Sequence, residues 1–323
     1  MIIVERNQTI YLLKFIFSLC IIGIHAQLFK GSIDVLYYVI TMGIFRIAVP
    51  FFFVVSGYYF YQRLQNGRSV KDYFIKLFKT LIIFEMIEII IFTPFVFPYV
   101  PNVFLYLWKI ISTGLGGAYW YLSSLLISFI IMMPAWKKKK VWPWLIIGFV
   151  LYLLCMTNDS YGHLFIGTQI QKISMIHTQI WTWPQAGLCS SLFYLSIGAF
   201  IERYHLKGKY LNYIFVLSLI ALLGESYFLQ SHGALDGNSY FSLIILVPTL
   251  MLLCLKHPHC LWKTKRLGQM SLYIYMIHPV LLSSLQYVLP LPQGVIFVIV
   301  VVLCLLISYF LTRRKEHGNI GCC

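Results

Sequence analysis

Acidic side chains are scarce in this sequence: Asp and Glu number 10 in 323 residues against 25 Lys and Arg, and charged residues of all kinds make up 11%. A soluble globular chain carries about one-quarter charged residues. Too little polar surface is present to cover a water-soluble particle. No stretch is polar enough to fold as a separate soluble domain, although the length would accommodate two. Residues 1–323 therefore read as a single membrane domain. No CxxC and no Cys/His spacing typical of a metal site occurs among the eight cysteines. Cys20, Cys155, Cys189, Cys254 and Cys304 fall within apolar runs and read as free thiols acting as small hydrophobes. Cys322 and Cys323 leave lipidation as an alternative to an inert end. The first apolar run, 10–29, is too long for a signal-peptide core, and no small-residue cleavage site follows it.

Apolar side chains are abundant. Hydrophobic residues make up 60% of the chain and aromatics 17%, a composition suited to helices with Trp and Tyr at two membrane interfaces. A helical span needs about twenty apolar residues to cross roughly 30 Å of hydrocarbon. Such runs occur near 10–29, 36–62, 73–97, 119–136, 141–157, 184–203, 210–230, 238–256, 268–289 and 293–312. The expected fold is all-α: a polytopic integral membrane protein of about ten transmembrane helices. Segment 102–113 is amphipathic and reads as an interfacial helix. No internal repeat of the kind many secondary transporters carry is evident.

The formal charge of +15 does not point to nucleic acid, because the basic residues are not gathered on one face or arm. They recur in every second loop. With the amino terminus inside, the inner segments hold Arg6, Arg63, Arg68, Lys71, Lys76, Lys79, the run Lys137 to Lys140, Arg203, Lys207, Lys209, Lys256, Lys263, Lys265, Arg266 and Arg313 to Lys315. The outer segments hold Lys30, Lys109 and Lys172. This bias predicts a multi-pass plasma-membrane protein with both termini cytoplasmic. The longest outer segment, 158–183, contains Asp159, His163, His177, Trp181 and Trp183 and is large enough to cap a site.

Ionisable groups within hydrocarbon are costly and call for a partner or a task. Lys14 and His25 lie in the first run, Arg46 in the second, Glu85 and Glu88 in the third, Glu225 in the seventh and His278 in the ninth. Lys14 has the alternative of snorkelling to the inner headgroups. Topology puts His25, Arg46 and Glu225 in the outer half and Glu85, Glu88 and His278 nearer the middle, which predicts a polar cavity opening outward. An ion pair between Arg46 and a glutamate is the structural alternative. His25 is suited to move a proton near neutral pH, so it can deprotonate a hydroxyl attacking a thioester. Arg46 or Lys14 would stabilise phosphate or oxyanion charge. His278 before Pro279 has the alternative of satisfying a carbonyl freed by the proline. Ser56-Gly57 reads as a small-residue helix contact, and Trp120 as an interfacial or cavity-mouth residue.

Four motifs in order resemble the membrane-bound acyltransferase-3 family. The stretch from Tyr11 to His25 resembles its opening helix, in which ten residues separate a basic residue, usually Arg, from a histidine; Lys14 and His25 keep that spacing. Arg46-Ile-Ala-Val-Pro50 through Ser56-Gly57-Tyr58 is similar to its second-span signature. Tyr119-Trp120-Tyr121-Leu122 resembles its aromatic motif, and Ser271 through Tyr275 to His278-Pro279 its late Tyr/His-Pro motif. The similarity covers the whole chain.

The resemblance implies ten helices around a central polar channel and transfer of an acyl group, often acetyl, from cytoplasmic acyl-CoA. No bound cofactor is expected. The implied acceptor is a hydroxyl of a cell-envelope glycan or lipid-linked sugar. It implies His25 as the essential residue, beside Arg46 and Lys14 read above as its charged partners, and Lys76 and Lys79 as acyl-CoA ligands. Trp120, Glu85, Glu88, Glu225, Tyr275 and His278 would line the channel. The Arg46 segment is also similar to membrane domains attached to amino-acid racemases. This keeps a second expectation open, a transporter or exporter of a small amino acid or glycan. A non-enzymatic scaffold has no use for His25, Arg46 and His278 at depth.

Overall fold

The computed structural model describes residues 7–96, 103–113, 119–181, 185, 187–234, 237–260 and 264–318. Trp183, Cys322, Cys323 and the side chain of Glu88 lie outside the described residues. The chain is 81% helical, without a strand among the described residues. A lipid-facing segment must satisfy its backbone internally, and a helix does this within one segment.

The helices are α1 (Gln8–His25), α2 (Asp34–Leu36), α3 (Ala48–Gln65), α4 (Val70–Val96), α5 (Val103–Thr113), α6 (Trp120–Lys137) and α7 (Trp142–Met156). They continue with α8 (Gln169–Trp181), α9 (Cys189–Tyr204), α10 (Leu211–Ser231), α11 (Phe241–Lys256), α12 (Lys265–Val288) and α13 (Gln293–Gly318). Each of the ten apolar runs, and the amphipathic segment, overlaps an α-helix. Among the described residues, five helical stretches are long and apolar enough to cross a membrane: Gln8–His25, Asp34–Gln65, Trp120–Lys137, Leu211–Ser231 and Gln293–Arg313. Apolar side chains such as Ile90, Leu217 and Ile220 face outward, as a lipid solvent permits.

The second run departs from the single helix that hydropathy predicts. α2 passes into a π turn over Tyr37–Thr41 and a 3-10 turn over Ile44–Ile47 before α3 begins. Close packing explains part of the break. A Cβ on Gly43 would collide with the Val39 carbonyl oxygen and Ser226 Oγ, while Thr41 donates its hydroxyl to Leu28 O at 2.7 Å. The break carries Arg46.

The strongest helix pairing joins α3 to α9, and glycine makes it possible. A Cβ on Gly57 would run into the Leu195 carbonyl, and one on Gly198 into the Val54 carbonyl, so the two backbones touch. The sequence reading of Ser56-Gly57 as a small-residue contact therefore describes its second residue correctly. Gly198→Leu is expected to destabilise the protein by at least about 1–3 kcal/mol through overpacking. A lower thermal midpoint of the detergent-purified protein would register this; an unchanged midpoint would contradict the close approach. α7 also packs on α9, α10 on α11, and α12 on both α1 and α13. Phe60 stacks on Phe129 at 3.9 Å beside Trp136, filling the core between α3 and α6.

The bundle has two distinct ends. At one, Asn7 Nδ2 donates to Cys254 O at 2.6 Å, Gln8 N to Pro258 O at 2.7 Å and Gln65 Nε2 to Trp136 O at 2.8 Å. Arg63, Lys137 to Lys140, Arg203, Lys207, Lys209 and Lys256 belong to this basic end. At the other end lie His25, Lys30 and residues 157–181 and 237–240. There Trp108 Nε1 donates to Ile180 O at 2.5 Å, holding α5 against α8.

The cysteine reading needs one correction. Cys155 and Cys189 are not free thiols but a disulfide joining the end of α7 to the start of α9. They are 34 residues apart in the chain, and the antiparallel packing of α7 on α9 brings them together, which no local spacing reveals. Cys20, Cys254 and Cys304 lie outside this disulfide.

Candidate functional site

α1 is a continuous apolar helix capped by the Asn7 side chain, which accepts from Ile10 N at 2.9 Å. Its final residue is His25. The chain then turns sharply, with Gln27 at φ 51° and Phe29 at φ 71° in the left-handed region. His25 lines a cavity of about 70 Å³ together with Arg46, Trp120, Tyr152, Gln185, Ser190, Tyr194 and Asn238.

Arg46 reaches this cavity from the 3-10 turn, and its Nη1 donates to Asn238 Oδ1. Asn238 is itself held by Asp159: its backbone N–H meets both carboxylate oxygens at 3.1 Å and its Nδ2 donates to one at 3.3 Å. The guanidinium is thus positioned by an amide that a carboxylate fixes. Among the described residues the partner of Arg46 is this relay, in place of the glutamate of the structural alternative. Arg46 Nε and Gln185 Oε1 are buried without a hydrogen-bond partner. A buried donor and a buried acceptor left unmade are costly, and both belong to residues lining the cavity. Tyr194 donates to Tyr152 OH at 3.1 Å, and Tyr152 to Tyr240 O at 3.0 Å, stiffening the far wall.

His278 packs behind His25, with ring centroids 5.3 Å apart. Its Nδ1 lies 3.2 Å from Ile274 O, one turn back along α12 and just before Pro279. A carbonyl only accepts, so Nδ1 carries the proton, and in the neutral ring Nε2 is a bare lone pair. That Nε2 is buried without a hydrogen-bond partner. The carbonyl-binding alternative for His278 therefore accounts for one ring nitrogen and leaves the other.

A second cavity, of about 80 Å³, lies nearer the basic end. Lys14, Phe52, Ser56, Tyr121, Ser271 and Tyr275 line it. α1, α3 and α6 contribute to both cavities. Between them runs a string of polar side chains. The His278 ring stands 5.9 Å from Tyr275, Tyr275 stands 5.6 Å from Tyr121, and Tyr121 OH lies 3.1 Å from Ser56 Oγ. The Tyr119 hydroxyl donates to Met276 O at 2.7 Å, pinning the start of α6 to α12. Lys14 and His25, eleven residues apart on one helix, are separated by roughly 16 Å at 1.5 Å per residue.

The remaining expected residues separate into groups. Trp120 lines the His25 cavity and Tyr275 the Lys14 cavity. Lys76 is close enough to Lys14 to act on it electrostatically. Lys76 and Lys79 are exposed on α4, and Glu85 is buried on the same helix. Glu225, expected to line the channel, instead caps a helix. Its carboxylate accepts from Phe241 N at 2.6 Å and Ser242 N at 2.9 Å, the first residues of α11, and from the Tyr161 hydroxyl. A carboxylate at a helix N-terminus satisfies orphan N–H groups and opposes the positive end of the dipole. Burial, and then its hydrogen bond to Glu225, push the Tyr161 phenol above its ordinary range.

Asn238, Gln185, Ser190 and Tyr194 were not expected. Asn238 and Gln185 are loop residues without a motif, and the other two lie on an ordinary apolar helix. Next to them, His177 of α8 places Nε2 3.3 Å from Cys189 Sγ, and burial lowers its pKa to about 4. Cys155, His177 and Cys189 lie close enough together to hold a metal ion, but bonded to each other the two sulfurs have no thiolate to offer.

The model of the acyltransferase-3 family, described as an acyltransferase domain, matches residues 7–313. A protein of Enterococcus faecalis named amino-acid racemase is 26% identical over 340 residues, covering 98% of this chain and 47% of that protein. A serine/alanine racemase of Enterococcus gallinarum is 27% identical over 299 residues, covering 86% of this chain and 42% of its own length. The chain thus spans less than half the length of these curated relatives. No solved structure matches it.

Proposed function

This chain belongs to the acyltransferase-3 family, and we propose that it is a membrane O-acyltransferase moving an acyl group, acetyl in the simplest case, from cytoplasmic acyl-CoA to a hydroxyl of a cell-envelope glycan. In this reading the ten apolar runs cross the plasma membrane, the basic end and both termini face the cytoplasm, and the His25 end faces outward. The observation that carries the proposal is the placement of His25 and Arg46 in one cavity, joined by a polar string to a second cavity that holds Lys14.

His25 takes the proton of the acceptor hydroxyl as its oxygen attacks the thioester carbonyl. The tetrahedral intermediate collapses with cleavage of the C–S bond, leaving an ester on the acceptor. The imidazolium returns the proton to the thiolate, so free CoA leaves and neutral His25 is restored. Arg46, fixed through Asn238 and Asp159, directs positive charge toward the oxyanion. The open Nε of Arg46 and Oε1 of Gln185 supply hydrogen bonds to the acceptor. Lys14, Lys76 and Lys79 attract the CoA phosphates from the basic end. Lysine does so as a point charge, without the bidentate fork of the arginine usual in the family.

Cavities of about 70 and 80 Å³ hold a few waters, far short of the 300–1,000 Å³ of typical ligand sites. Turnover then requires the helices around them to part. Mass analysis of envelope glycans from cells with and without the protein tests the proposal. Loss of an acetyl-sized mass from one glycan is expected in its absence. Identical glycan spectra from the two strains would refute the proposed acceptor class.

A second reading, movement of a small amino acid across the membrane, draws support from the racemase names of the relatives. The Arg46 guanidinium would also bind a carboxylate. Flux of an amino acid into proteoliposomes without CoA would favour that reading.

A further inference from the structure

We infer that the protein carries a built binding site for one anionic phospholipid, with a hydroxyl-bearing headgroup, at its basic end and away from the reaction cavities. Two cavities outside the described site meet there. The first, of about 450 Å³, sits under the turn from α9 to α10 and has His205, Lys207, Lys256, Glu202 and Tyr58 among its lining residues. The second, of about 440 Å³, is a groove walled by Trp142, Ile146 and Phe149 of α7, Phe193 of α9, and Pro248 of α11. Ile201, Leu206 and Leu252 line both, so the polar recess opens into the groove. Each volume is in the range of a ligand site.

The chemistry divides along this line. Lys207 and Lys256 are exposed at the basic end, where anionic headgroups gather and lysines attract their phosphates. His205, in the left-handed conformation at φ 49°, ends α9 and turns the chain so that Lys207 and Lys256 lie at one recess. The Glu202 carboxylate and the Tyr58 hydroxyl share the recess. A carboxylate beside two lysines disfavours a bare phosphate and suits a phosphate ester with hydroxyl donors on its head. The groove below offers apolar side chains only, and Trp142, Ile146 and Phe149 are exposed along it. From Phe193 to Ile201, both in its wall, α9 rises roughly 12 Å at 1.5 Å per residue. This is close to the depth of one hydrocarbon leaflet, half of about 30 Å. A phosphate at the lysines therefore leaves an acyl chain in the groove at its ordinary depth. Phosphatidylglycerol has the required parts.

The test uses the full-length protein purified in detergent, stripped of lipid and incubated with equimolar phosphatidylglycerol, phosphatidylethanolamine and phosphatidylcholine. Native mass spectrometry then counts the lipid retained. One phosphatidylglycerol per protein is expected, at about tenfold preference over either zwitterionic lipid. Lys207→Ser with Lys256→Ser should remove that preference. Because both lysines are exposed, the variant should keep the wild-type thermal midpoint in the delipidated state. Ile146→Trp, on the lipid-facing wall, should reduce retention of all three lipids by obstructing the chain. Equal retention of the three lipids, a preference for phosphatidylethanolamine, wild-type selectivity in the double lysine variant, or a dimer that covers the groove would each overturn the assignment.

Discussion

His25→Ala is expected to lower acyl transfer by about 10²–10⁴-fold, the usual contribution of a positioned general base. The assay is transfer from acetyl-CoA to isolated envelope glycan in membrane vesicles, with protein abundance and thermal midpoint measured alongside. The substitution should leave the fold intact. His25 is at the end of α1, beyond the contacts that Phe17 makes with Phe51, and its ring meets His278 across the partition rather than filling the main core. Loss of transfer with retained abundance supports the proton-transfer role. Transfer at the wild-type rate by the variant would remove His25 from the mechanism, whatever the acceptor.

Arg46 should produce the second largest effect, and its form is informative. Arg46→Gln is expected to cost about 10²–10³-fold in kcat, the scale seen when one preorganised donor to a developing oxyanion is lost. Arg46→Lys should rescue only a small part. Lysine restores the charge but lacks the planar fork that places one nitrogen on Asn238 while another faces the cavity. A purely structural arginine would behave differently: both variants would lower the thermal midpoint and leave kcat per folded molecule unchanged. A rise in KM alone would assign Arg46 to ground-state binding of the acceptor.

The sequence made the helices legible because hydrocarbon selects composition over long windows. All ten apolar runs overlap helices, and the alternating basic loops distinguish the two ends. What remained hidden depends on single backbone turns and on pairs remote in the chain. Residues 36–62 have uniform hydropathy, so nothing in that signal marks the π and 3-10 turns that carry Arg46. Glu225 was expected near a channel because intramembrane carboxylates are so often functional. Its actual partners are backbone N–H groups of α11, and backbone groups look the same in every sequence. Cys155 and Cys189 met the same limit.

The candidate site was half legible for the same reason. His25, Arg46, Trp120, Lys14 and Tyr275 stand in motifs, and the structure brings them to two adjoining cavities. Asn238 and Asp159, which orient Arg46, come from two loops 79 residues apart. Gln185 supplies an open acceptor from a third. Loop residues have no periodicity to betray them, so their part in the site became visible only once the helices had placed the loops.

The two small cavities and the ring-lined partition between them also bear on the electrical life of the cell. A pore wide enough for a donor on one side and a sugar on the other would, if open throughout, short-circuit the proton and ion gradients across the bilayer. On the proposed acyl-transfer reading, His278 behind His25 and Tyr275 in the wall of the Lys14 cavity would act as an airlock, in which either side admits its reactant while the membrane stays insulating.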